Sequence, residues 1–179
     1  MLIGMMGAGK STTGARVARL LDRRFYDSDE EIFARTGMTV PEIFRVHGEA
    51  AFRAQERAVL AGALTSGVPA VIAVAGGAVF DPDSRRRMQR SGVIIWLRAT
   101  PHTLRHRVGA GIGRPLLEQD PAGTLYRLDA LRRPLYQALA DGYIDVDGVI
   151  PTTVAERVAR LAREWLESGR GLVADCGEL

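Results

Sequence analysis

A chain of 179 residues, 46% hydrophobic and 25% charged, has the length and composition of one α/β domain with a sizeable core. Its net charge of +3 is modest and its basic residues form no aromatic-interleaved patch, so the composition argues against a nucleic-acid-binding protein. Cys176 is the sole cysteine, which excludes an intramolecular disulfide and a cysteine-based metal site, and with no membrane-spanning run or signal-peptide pattern a cytoplasmic protein is expected.

The chain opens on a stub strand, 1–3. Only Met1-Leu2-Ile3 precede Gly4, so either a few residues are missing upstream or the strand is unusually short. Gly4-Met5-Met6-Gly7-Ala8-Gly9-Lys10-Ser11 follows, then a helix over about 10–22. A short strand around 24–26 ends at Asp27-Ser28-Asp29, where Ser28 or Asp29 is expected to cap a helix over 30–35 that Gly37 ends. Residues 41–46 read as a short helix and 48–65 as a longer one. Ala70 to Val74 is a continuous apolar run, as in a strand buried on both faces, and Gly76-Gly77 follows it.

Further on, 83–90 reads as a helix, with Arg85-Arg86-Arg87 on a solvated face, and 93–97 as a second buried strand. A helix over 101–108 runs into the glycine-rich segment Gly109 to Pro115, which is expected to be mobile. A helix over 122–140, a strand over 143–146 and an amphipathic helix over 153–166 complete the pattern. The tail, 169–179, is expected to be disordered. Alternating strands and helices imply a parallel sheet covered on both faces, with ligands at the carboxyl ends of its strands. The glycine-rich loop, Asp27-Ser28-Asp29 and Gly76-Gly77 all follow strands, so they should converge on one cleft.

The loop matches Gly-x-x-x-x-Gly-Lys-Ser/Thr, and Lys10 is the only lysine in the chain. Backbone N–H groups of Gly7, Ala8 and Gly9 can turn toward phosphate oxygens. Lys10 supplies a compact charge for the β- and γ-phosphates, Ser11 a hydroxyl for Mg²⁺, and Thr12 a contact to the α-phosphate. The bare alternative is a glycine-rich turn before a helix with no ligand. With no second lysine there is no Asn-Lys-x-Asp guanine motif, and neither buried strand ends in paired acids as in a motor ATPase. A small ATP-dependent kinase fits best.

Such an enzyme needs a group that orients the acceptor hydroxyl and cations around the transferring phosphoryl. Asp27 and Asp29 are the candidates, one for the Mg²⁺ shell and one for the acceptor; a plain helix cap is the competing reading. Arg53 and Arg132 suit bidentate capture of a carboxylate. Arg114, in the glycine-rich segment, reads as a lid arginine that closes over the nucleotide and shuts out water.

These residues together resemble the shikimate kinase family over nearly the whole chain. The matching pieces are Gly-Ala-Gly-Lys-Ser-Thr (7–12), Asp27-Ser28-Asp29, Ile43-Phe44, Gly48-Glu49, Phe52-Arg53, Gly76-Gly77-Ala78-Val79, Arg114-Pro115-Leu116-Leu117 and Arg132-x-Pro-Leu-Tyr136. The resemblance implies a three-layer α/β/α P-loop kinase fold with a five-stranded parallel sheet, over 1–168. It implies phosphorylation of the 3-hydroxyl of shikimate by MgATP in a monomeric enzyme with no nucleic-acid or membrane partner.

By position it places Asp27 on Mg²⁺ through water and Asp29 on the shikimate hydroxyls as base. Arg53 and Arg132 clamp the carboxylate, Gly76 and Gly77 offer N–H groups, and Arg107 lies against adenine. Arg114 closes a lid over 108–118, and 28–57 forms the shikimate-binding region. One departure is Ala75, where the family usually has glycine; alanine is harmless there unless the position needs a positive φ. Two other readings remain: a kinase of a related carboxylated cyclitol or sugar acid, such as aminoshikimate or gluconate, and a nucleotide-binding regulator without catalysis.

Overall fold

The computed structural model describes residues 1–109, 115–117 and 120–168. Its strands are β1 (Leu2–Ile3), β2 (Arg24–Asp27), β3 (Ala70–Ala73), β4 (Ile95–Arg98) and β5 (Gly142–Asp145). They form one all-parallel sheet in the order β2-β3-β1-β4-β5, with helices on both faces. The stub strand β1 is the central one. Two residues suffice because its neighbours extend the pairing: Val74 N–H donates to Leu2 O (3.0 Å) and Ile95 N–H to Met1 O (2.9 Å). Leu2, Ile3 and the apolar residues of β3 and β4 are buried, as expected for strands covered on both faces. At one edge, β5 alternates between half-buried and exposed residues.

The helices are α1 (Lys10–Leu20), α2 (Ser28–Thr36), α3 (Val40–Thr65), α4 (Pro82–Ser91), α5 (Pro101–Val108), α6 (Pro121–Leu139) and α7 (Pro151–Glu167). The most extensive helix packing joins α1 and α7. Small buried residues of α7, Ala155, Ala159 and Ala162, let the two backbones approach. Arg163 closes the far end of α1 by donating to Leu20 O (2.7 Å). This satisfies one of the carbonyls that a helix end leaves without an internal partner.

Two expectations need correction in detail. The cap of α2 is Asp27, not Ser28 or Asp29, and the helix therefore starts two residues earlier; the Asp27 carboxylate accepts the Asp29 N–H (3.0 Å). The two helices expected over 41–46 and 48–65 are both present and meet within α3 at a kink, Gly48, whose φ of 77° and ψ of 174° are not helical. Strand β4 begins at Ile95 rather than 93, because the Ile94 N–H is taken by the Asp141 carboxylate (2.8 Å). Two 3-10 turns, Ala78–Phe80 and Pro115–Leu117, were not anticipated. The tail 169–179 and most of the expected lid, including Arg114, lie outside the described residues.

The main core surrounds the sheet. A second, smaller cluster of Ile32, Ile43 and Phe52, flanked by Met38, Val40, Phe44 and Val59, joins α2 to both halves of α3. It packs α2 against α3 on one side of the cleft, while Leu60 further along α3 joins the main core. Truncation of Ile32, which is fully buried there, should cost about 2–4 kcal/mol in urea unfolding, in the range for buried Ile to Ala changes. A loss under about 1 kcal/mol would show that this cluster adds little to the fold.

Candidate active site

The loop after β1 is shaped by residues in the left-handed region. Gly7 (φ 82°) and Gly9 (φ 91°) have conformations that side chains strain to adopt, and Gly9 is also the cap of α1. The Lys10 ammonium donates to Gly4 O (2.9 Å) and Met5 O (3.1 Å), so it lies back along the loop. The N-terminus of α1, with Ser11 and Thr12 exposed in its first turn, faces the cleft and favours an anion there.

Ser28 joins the ends of β2 and β3. Its hydroxyl donates to Ala73 O (3.0 Å) and accepts the Ala75 N–H (3.3 Å). This sets Asp27 and Asp29 beside the turn at 75–77. Among the described residues the only non-glycine position with positive φ is Asp22. Ala75 therefore sits in a conformation open to any side chain, and the alanine in place of glycine carries no backbone strain.

Two guanidinium groups flank the Gly76-Gly77 turn. Arg53, half-buried on α3, donates through Nε and Nη2 to Glu49 Oε1 (3.1 and 2.7 Å) and through Nη1 to Glu56 Oε2 (2.6 Å). Its guanidinium lies so close to Gly77 that a Cβ there would strike it. Arg132, on α6, is 2% exposed, and a Cβ on Gly76 would sit 3.1 Å from its Nη1. Arg132 Nε has no hydrogen-bond partner among the described residues. Its Nη1 lies 3.9 Å from Met5 Sδ, and its guanidinium 5.4 Å from the Phe80 ring centroid. Burial pulls the Arg132 pKa down. Burial likewise pushes the Glu56 carboxyl above the usual range, with Arg53 pulling against it.

Arg107, at the end of α5, donates to Val146 O (2.8 Å) and, at 3.5 Å, to Gly7 O. It ties the loop after β5 to the phosphate loop. One cleft of about 940 Å³ is lined by Gly7, Ala8, Gly9, Lys10, Ser11, Thr12, Asp27, Asp29, Arg53, Gly76, Gly77, Arg107 and Arg132. These are all the site residues expected from the sequence except Arg114. The sequence reading missed four contributors: Glu56, which holds Arg53, and Val146, Val149 and Pro151 beside Arg107. Glu56 had a local signal, lying three residues after Arg53 on one helix face. The other three come from the loop after β5 and the start of α7, whose place depends on the whole sheet.

Comparisons with known proteins agree with this geometry. A family model described as "Shikimate kinase" matches residues 6–163. The chain belongs to the shikimate kinase family. A shikimate kinase of Burkholderia lata is 47% identical over 144 residues, 80% of this chain and 78% of that protein. One of Neisseria gonorrhoeae is 41% identical over 165 residues, covering 91% and 95%. The solved shikimate kinase of Acinetobacter baumannii in complex with shikimate superimposes with a TM-score of 0.87 at 35% identity, covering 91% of each chain.

Within this family's fold, the pairing of Arg53 with Glu56 has a measurable consequence. Glu56→Ala leaves Arg53 only the half-exposed Glu49 to hold it. The KM for the acceptor should rise about tenfold while that for ATP stays within about twofold, as for loss of a charged hydrogen bond on one side of the site. Equal rises in both constants would instead mean a general loss of structure.

Proposed function

We infer that this chain transfers the γ-phosphoryl group of ATP to the 3-hydroxyl of shikimate, giving shikimate 3-phosphate and ADP. The observation that carries this reading is the pair Arg53 and Arg132 on either side of one glycine turn, in the same cleft as the phosphate loop. A small acceptor with one carboxylate fits such a pair, because planar guanidinium groups capture carboxylates through paired hydrogen bonds.

In the mechanism we propose, amides of Gly7, Ala8 and Gly9 cradle the phosphates, with Lys10 on the β- and γ-phosphates and Thr12 on the α-phosphate. Arg107 borders the adenine. Arg53 and Arg132 hold the shikimate carboxylate, and Gly76 and Gly77 direct N–H groups at the acceptor. This leaves the 3-hydroxyl facing the γ-phosphate. Asp29 orients that hydroxyl and takes its proton as the new P–O bond forms and the bond to ADP breaks. Arg114, outside the described residues, is assigned the lid role of neutralising charge on the moving phosphoryl.

The donor set suits Mg²⁺. Ser11 and Asp27 offer hard oxygen donors in one cleft, and no group of three or more His, Cys, Asp or Glu able to hold a metal occurs among the described residues. Mg²⁺ characteristically takes one or two protein oxygens, with waters and substrate phosphates completing its shell. Ser11 through its hydroxyl and Asp27 through water would hold the ion. Bound with ATP, it would neutralise phosphate charge.

We assign a monomer as the working unit, acting in the cytoplasm on small-molecule substrates. No helix among the described residues is long and apolar enough to cross a membrane.

Coupled ADP release with MgATP, against shikimate, aminoshikimate and gluconate, tests the acceptor. Shikimate should turn over fastest; no turnover by protein shown to be folded would sink the assignment. Arg132→Ala should raise the shikimate KM by about a hundredfold or more, the effect of losing a buried charged hydrogen-bonding partner, and leave ATP affinity nearly unchanged. Lys10→Arg should abolish activity although it keeps the charge, because a planar fork does not fit where a compact ammonium lies.

A further inference from the structure

We propose that Tyr136 is a positioning residue for acceptor binding: its hydroxyl fixes the Gly76–Gly77 peptide so that the Gly77 N–H faces the acceptor. The proposal rests on the reading above that Gly77 offers its amide to shikimate. Tyr136 lies one helical turn after Arg132 on α6, so both side chains project from the same face of that helix. Its ring is fully buried, with its centroid 5.8 Å from that of Trp96. Its hydroxyl donates to Gly76 O (3.1 Å), sixty positions earlier in the chain.

A peptide unit is planar and trans, so its carbonyl and the next N–H point in opposite directions. Pinning Gly76 O toward the core therefore turns the Gly77 N–H away from it. The Ala78 N–H bond to Ala75 O (3.1 Å) closes the turn, and the Tyr136 hydroxyl adds a restraint on the orientation of the peptide inside it, where two glycines leave wide backbone freedom. Gly76 also admits the contact: a Cβ there would lie 3.4 Å from the Tyr136 hydroxyl and 3.1 Å from Arg132 Nη1. Burial pushes the Tyr136 hydroxyl up to about 12, opposed by the Arg132 charge, so it remains a donor throughout the working range of an enzyme. Tyr136 thus sets two parts of the acceptor site from one helix. Arg132 lies a turn before it, and the glycine amide lies at the tip of its ring.

The test uses the full chain, Tyr136→Phe, and ¹⁵N spectra of the Gly77 amide. The variant removes one oxygen and keeps the ring against Trp96. The shikimate KM should rise about five- to tenfold, the worth of one hydrogen bond, with kcat and the ATP KM within about twofold. The Gly77 amide resonance of the ligand-free variant should also move. An unchanged shikimate KM overturns the proposal. A raised KM with an unmoved Gly77 amide also overturns it, since the hydroxyl would then act on Arg132 or elsewhere. In the parent protein, shikimate should shift the Gly77 amide. If it does not, the reading of Gly77 fails and the proposal falls with it, whatever the variant does. If it does and the variant's KM is unchanged, only the role of Tyr136 is lost.

Discussion

A guanidinium almost wholly out of water, with no ion pair among the described residues, shapes one side of this cleft. Removing a charge from water costs several kcal/mol unless fixed dipoles or an opposite charge compensate. Arg132 is 2% exposed and its Nε has no partner among the described residues. Around it lie the Met5 sulfur, the Phe80 face and the Tyr136 hydroxyl, with Glu56 acting at longer range. Such a group is tolerated where the rest of the structure holds it and where a ligand completes it. A carboxylate is the ligand that does so with most hydrogen bonds per atom.

The remaining parts follow from where Arg132 has to point. It projects from α6, which enters the cleft from the β4–β5 half of the sheet, while Arg53 comes from α3 on the β2–β3 half. The turn after β3 lies between them and is stripped of side chains at 76 and 77, because each position would collide with or crowd one of the two arginines. Ser28 locks that turn to the end of β2, and the same chain segment carries Asp27 and Asp29. Ser28 therefore holds the turn and the segment of Asp27 and Asp29 together at the carboxyl ends of adjacent strands, with the two arginines packed against the turn, which is where a parallel sheet places ligands.

Much of this was legible in the sequence because the informative residues carry their own local physics. The run Ala70 to Val74 could only be a buried strand or a short buried helix, and the glycines after it favoured the strand. Gly-x-x-x-x-Gly-Lys-Ser specified its own loop. Two helical segments were legible over 41–46 and 48–65, but that Gly48 itself leaves the helix at their junction was not. What stayed hidden depended on distance along the chain. The Tyr136 hydroxyl meets a carbonyl sixty positions away, and Asp141 takes the Ile94 N–H and so shortens β4. The cap of α2 was misplaced by one or two residues because Asp27, Ser28 and Asp29 are all good caps. The choice fell to Asp27 once Ser28 was committed to β3.

The two halves of the arginine pair are not electrically alike, and this bears on how the site selects its ligand. Arg53 is already held by two carboxylates, Glu49 and the buried Glu56, whereas Arg132 forms no ion pair among the described residues. Counting Arg53, Arg132, Glu49 and Glu56 together, two positive and two negative groups cancel. The empty clamp exerts little long-range pull on an anion, and simple charge attraction falls away over a Debye length of about 8 Å in any case. Selection must therefore come at contact. On the proposed reading, an entering carboxylate gains most from Arg132, whose charge the Tyr136 hydroxyl and Glu56 offset only in part. It is then tested by the pinned glycine turn and by Asp29, which on that reading repels any group that presents an oxygen anion where a hydroxyl belongs. A phosphate or dicarboxylate satisfies the arginines but places surplus charge against Glu56 and Asp29. A monocarboxylate that carries hydroxyls on its far side meets each group with its complement.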